Sequence, residues 1–67
     1  MKSRDVIRAI EARGGVFMRQ RGSHLRFRVE ANGVVVFTTV PDHEVGKGLL
    51  AKIERDLEPA LGRGWLR

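Results

Sequence analysis

The sequence predicts an α+β fold of order α-β-β-β-α, in which a three-stranded antiparallel sheet carries two helices on one face. Two observations predict it. Apolar residues recur at helical spacing near both ends of the chain, and apolar and polar residues alternate through the middle. The dipeptides Gly22-Ser23 and Asn32-Gly33 then divide the alternating stretch into three strands. At 67 residues the chain, 1–67, reads as a single domain. Its core is thin, because a chain this short buries only about 60% of its unfolded surface.

The first helix is read from "SRDVIRAIEARGG", residues 3–15. Ser3 is placed as its N-cap, Asp5 suits the positive end of the helix dipole, and Val6, Ile7 and Ile10 share one face. Arg13 suits the last turn, and Gly14 can take the left-handed position that ends a helix. From Val16 the period becomes two. "VFMRQR" and "HLRFRVE" flank Gly22-Ser23, a pair suited to a type II′ turn. A two-residue turn sets the register. It places Arg21 opposite His24, Arg19 opposite Arg26 and Phe17 opposite Arg28 on one face. The other face pairs Gln20 with Leu25, Met18 with Phe27 and Val16 with Val29. One face is then strongly basic and the other largely apolar.

Asn32-Gly33 predicts a type I′ turn into "VVVFTTV". Its register sends Val34, Val36 and Val40 to the core and leaves Val35 and Phe37 on the basic face. Pro41, which has no N–H to offer a ladder, ends the strand. In "GLLAKIERDL", Leu49, Leu50, Ile53 and Leu57 form one buried helical stripe, and Pro59 stops or kinks that helix. Within the tail "LGRGWLR", Trp65 either docks back on the core or contacts a partner.

Composition narrows the function. The chain has no cysteine, which excludes disulfides and cysteine-ligated zinc. No apolar run approaches the roughly 18 residues of a membrane span, and no signal-peptide pattern follows the N-terminus. A cytoplasmic protein without a membrane partner is expected. Lys and Arg number 13 against 8 Asp and Glu, a formal charge of +5. Ten of the 13 are arginine, whose planar fork matches phosphate oxygens where lysine offers a point charge. A solvated basic surface would give the same totals, so the clustering is what matters. "RQRGSHLRFR", residues 19–28, gathers four arginines around one histidine. Like charges directly across two strands destabilise a sheet. Arg19 opposite Arg26 therefore costs stability unless the face meets an anion, most simply a nucleic acid.

His24 follows the turn directly and projects onto that face. RNA carries its own nucleophile in the 2′-hydroxyl. Cleaving it without a metal needs a group that moves protons near neutral pH and cations that stabilise charge on the phosphorus. An imidazole ringed by guanidinium groups supplies both. The residues thus point to RNA, with His24 catalytic and Arg19, Arg21, Ser23, Arg26 and Arg28 as RNA contacts. No cofactor is implied. "DHE" at 42–44 offers donor atoms, but adjacent residues rarely converge on one ion, so no metal site is assigned. His43 either caps the start of the second helix or serves as a second proton-transfer group. Gly14-Gly15 and Gly46-Lys47-Gly48 lack the P-loop spacing. Two other readings stay open: a non-catalytic RNA-binding module, and a domain whose basic face docks only an acidic protein. A ribonuclease of this kind would itself need an inhibitor. An acidic partner covering His24 is expected, with Val35 and Phe37 as its apolar anchor.

Three blocks carry a family resemblance: "RQRGSH" at 19–24, "TVPDH" at 39–43 and "KGLLAKI" at 47–53. In this order, over roughly residues 2–57, the chain resembles the HicA toxins, small mRNA interferases of toxin–antitoxin systems. The resemblance implies a dsRBD-like fold, the family's catalytic histidine at His24, mRNA as substrate and a HicB-type antitoxin as partner. Gly22 and Ser23 match the turn that presents the histidine. Leu25, Arg26 and Phe27 depart from the second histidine and aromatic that often follow it, and Leu49 stands where threonine is common.

Overall fold

Two tight turns organise the sheet, and each takes the geometry its dipeptide suggests. Gly22 is left-handed at φ +57° and Ser23 is not, as a type II′ turn requires. Asn32 at φ +54° and Gly33 at φ +74° are both left-handed, as in type I′. The computed structural model describes residues 1–66, in the order α1 (Ser3–Glu11), β1 (Val16–Arg21), β2 (His24–Ala31), β3 (Val34–Pro41) and α2 (Lys47–Leu61). The strands form an antiparallel sheet with β2 in the centre. Both helices pack on one face, the dsRBD-like arrangement predicted from the sequence.

The β2–β3 ladder is unbroken from His24↔Pro41 to Ala31↔Val34. The β1–β2 ladder follows the predicted register only near the turn, through Arg21↔His24, Gln20↔Leu25 and Arg19↔Arg26. It then shifts by one residue, so that Phe17 pairs with Phe27 and Val16 with Arg28. Met18 is the extra residue of a β-bulge. The expected pairs Phe17–Arg28, Met18–Phe27 and Val16–Val29 are therefore wrong. The physical reason is local: Phe17 turns to the side of Phe27, where the rings meet edge to face with centroids 5.8 Å apart. Residues 16–18 are all apolar, so their alternation cannot reveal a one-residue slip.

The core joins Val6 and Ile10 of α1, Phe27, Val29 and Val40 of the sheet, Val45, and Ile53 and Leu57 of α2. Each fully buried aliphatic or aromatic side chain contributes about 1.5–3 kcal/mol. Thr38 is the buried polar residue of the sheet, and its hydroxyl donates to Asp56 Oδ2 at 3.0 Å, tying β3 to α2. Ser3 is not the N-cap of α1. Lys2 occupies that position without a side-chain bond, and Ser3 is the first helical residue. The helix closes at Glu11, earlier than the sequence suggests; Arg13 Nη1 then donates to the Ala9 carbonyl at 3.1 Å, and Gly14 is left-handed.

Pro59 does not stop α2, which runs on to Leu61. So close to the C-terminus the missing N–H forfeits a single intrahelical bond, to the Arg55 carbonyl. Asn32 Nδ2 donates to the Ala60 carbonyl at 2.9 Å, and Gly62 N–H to the Glu58 carbonyl at 2.8 Å, which hold the last turn. Trp65 docks back on the core. It is 6% exposed, and its Nε1 donates to the Glu54 carbonyl at 2.8 Å. No helix among the described residues is long and apolar enough to cross a membrane.

Candidate nucleic-acid interface

The face of the sheet opposite the helices is built in rows across the strands. At the hairpin end lie Arg21, His24 and Pro41, followed by Arg19, Arg26 and Thr39. Next come Val16, Arg28 and Phe37, and finally Glu30 and Val35. Successive rows are two residues apart on β2 and β3, about 6.6–6.8 Å, whereas on β1 the bulge makes the step from Arg19 to Val16 three residues. The first two rows line one shallow depression of about 170 Å³, bordered by Arg19, Arg21, His24, Arg26 and Thr39.

The depression is anchored from beneath and from the side. Pro41, opposite His24, is buried, and the Asp42 N–H donates to the Ser23 carbonyl at 2.8 Å. The turn before His24 is thus tied to the end of β3, so the imidazole stands on rigid backbone although its side chain is exposed. Arg26 is held twice over: Nη1 donates to Thr39 Oγ1 at 3.2 Å, and its guanidinium lies 5.1 Å from the centroid of the Phe37 ring.

Charge is left unbalanced here. The ion pairs among the described residues are Met1 with Glu44, Arg28 with Glu30 and Lys52 with Asp56. None involves Arg19, Arg21 or Arg26, and Arg19 stands directly opposite Arg26. Such an arrangement is stabilised by an anion and disfavoured without one.

The structure therefore gathers His24, Arg19, Arg21 and Arg26. Arg28 lies one row away, with Nη2 3.0 Å from Glu30 Oε1. Ser23 sits in the turn, half-buried, and does not line the depression. His43 is elsewhere, exposed beside Lys2, Ser3 and Arg4, with Nδ1 3.0 Å from the Glu44 carbonyl oxygen. It does not cap α2, whose N-cap is Gly46. Among the described residues, no cluster of three or more His, Cys, Asp or Glu is placed to hold a metal. Thr39 is the lining residue that sequence reasoning missed. The signal was present, because the Asn32-Gly33 turn alone puts Thr39 opposite Arg26.

A family model described as the HicA toxin of bacterial toxin–antitoxin systems matches residues 3–58. No curated protein and no solved structure gives a significant match to the chain. The family match begins with α1, takes in both turns and all three strands, and ends inside the last turn of α2. It spans the whole framework that carries the depression, and the chain belongs to the HicA toxin family.

Proposed function

We propose that this protein is an mRNA interferase that cleaves RNA without a metal, with His24 as its proton-transfer group. One observation carries the reading: an imidazole and three guanidinium groups that have no carboxylate partner among the described residues line a single depression on the open sheet face. In the proposed step the 2′-hydroxyl oxygen bonds to the adjacent phosphorus and its proton passes to the imidazole. The P–O5′ bond breaks, and the departing oxygen takes a proton from solvent or from the imidazolium. The products are a 2′,3′-cyclic phosphate and a 5′-hydroxyl. Arg19, Arg21 and Arg26 meet the charge that builds on the phosphoryl oxygens. Arg28 and Ser23 are assigned to neighbouring stretches of the RNA backbone. A HicB-type antitoxin is the proposed inhibitor.

The test is RNA cleavage in chelator, comparing wild type with His24→Ala. General acid–base catalysis contributes about 10²–10⁴-fold, so the variant should slow by that factor. Wild-type products should end in cyclic phosphate, and 2′-O-methyl RNA should resist cleavage. A folded His24→Ala protein that cleaves at the wild-type rate would remove His24 from catalysis. RNA binding without any turnover by wild type would leave a binding module.

A further inference from the structure

Phe37 is the exposed feature of the open face that the proposed chemistry does not use. Its side chain is 43% exposed, as is that of Val35 two residues earlier on the same strand and face. Neither contributes to the core. Each lies beside the depression rather than within it, with Phe37 one row from Arg26 and Thr39.

The contact between Phe37 and Arg26 indicates what this surface suits. The guanidinium rests over the ring at 5.1 Å while Nη1 of the same group bonds to Thr39 Oγ1. One end of this unit therefore reaches the depression, and the other is an aromatic ring that is partly exposed beside the guanidinium. Unpaired nucleobases stack on aromatic rings and on arginine planes, and the sugar–phosphate backbone tracks adjacent positive charge. Among the described residues the exposed apolar side chains of this face are Val16, Val35 and Phe37, and of these Phe37 alone offers a ring. A base inside a duplex has both faces covered by its stacked neighbours and cannot use the ring.

We propose that Phe37, together with the guanidinium of Arg26, seats an unpaired base of the RNA strand whose phosphate lies in the depression. The site thus takes single-stranded RNA, although the fold is dsRBD-like. This inference rests on the reading of the open face as an RNA surface, but it concerns binding and does not depend on cleavage.

The experiment measures affinity with uncleavable strands. The probes are a short 2′-O-methyl oligoadenylate, the same backbone with abasic sugars, and a blunt 2′-O-methyl duplex. Wild type should bind the oligoadenylate more tightly than either of the others. Truncating an aromatic stacking partner weakens binding by about 5- to 150-fold per base, so Phe37→Ala should lose that much on oligoadenylate. It should lose nothing on the abasic backbone, and Phe37→Tyr should restore the affinity. Because Phe37 is half-exposed, the truncation leaves the core intact, which a melting curve checks. Equal losses on both single strands would mean that Phe37 acts only by holding Arg26, and would overturn the proposal. So would wild-type oligoadenylate affinity in Phe37→Ala, with or without weakened antitoxin binding. If Phe37→Ala shows the expected pattern while wild type fails to cleave any RNA, the base site stands and the catalytic reading falls.

Discussion

Arg26 and Arg28 are two residues apart on one strand and on one face, yet they meet different surroundings. Arg28 has Glu30 Oε1 at 3.0 Å, whereas Arg26 is held by a hydroxyl and a ring, neither of which cancels its charge. Each phosphate neutralised on a single strand contributes about −0.7 to the slope of log affinity against log salt. Arg26→Ala should therefore make that slope shallower by roughly 0.7. Arg28→Ala should change it less, since part of its charge is already matched within the protein. Equilibrium binding of uncleavable RNA across a salt series reads both, and equal changes would show that Glu30 yields Arg28 to the RNA. His24 is simpler at this scale. It is exposed and carries no core packing, so the loss of activity expected of His24→Ala should come with a stability change within about 0.5 kcal/mol.

Among the elements, α2 and the tail after it show how the C-terminal third is held. Trp65 packs under α2, and its indole N–H takes up the Glu54 carbonyl. Trp→Ala at a buried site costs about 3–5 kcal/mol, which is comparable to the whole stability of a domain this size. Trp65→Ala should thus lower the melting temperature sharply, or leave the protein unfolded. Trp65 is the only tryptophan, so its emission reports directly. It should be blue-shifted in the native protein and move to the red on unfolding, and a native emission typical of exposed indole would refute the docked tail. Sequence reasoning left this open because a lone tryptophan after two glycines has no periodic pattern. The hairpins were legible, since Gly22-Ser23 and Asn32-Gly33 specify turn geometry and hence register. The cluster of His24, Arg19, Arg21 and Arg26 followed from that register. Three features were not legible. The bulge was hidden in an all-apolar triplet, and α2 continues through Pro59 because packing outweighs one lost hydrogen bond. The pairing of Arg28 with Glu30 depends on rotamers that spacing does not reveal.

For the molecule as a whole, the division into two faces matters most. The helices and core occupy one side, while the carboxylate-free arginines, His24 and Phe37 occupy the other. With a formal charge of +5 the open face should attract acidic surfaces as well as RNA. An acidic antitoxin that covers His24 would then compete with RNA for the same arginines. Titrating 2′-O-methyl RNA into a complex of the protein with its antitoxin should release the antitoxin. A stable ternary complex with RNA seated at His24 would mean that inhibition acts from another surface.

The bulge in β1 makes one position of the strand expendable. On the turn side the paired residue numbers sum to a constant through Arg19↔Arg26, and beyond Met18 the constant falls by one. Removing Met18 would close that gap, giving an uninterrupted ladder in which every present pair, Phe17↔Phe27 and Val16↔Arg28 included, keeps its partner. A codon deletion there should yield a folded protein that still presents Arg19 and Arg21 beside His24. Deleting Gln20 instead would turn Arg19 toward the helices and should cost both folding and RNA binding. Circular dichroism and binding of the two deletion variants check this. Tolerance confined to Met18 would mark the bulge as a spare residue in the hairpin, a point where its length can vary without moving the site.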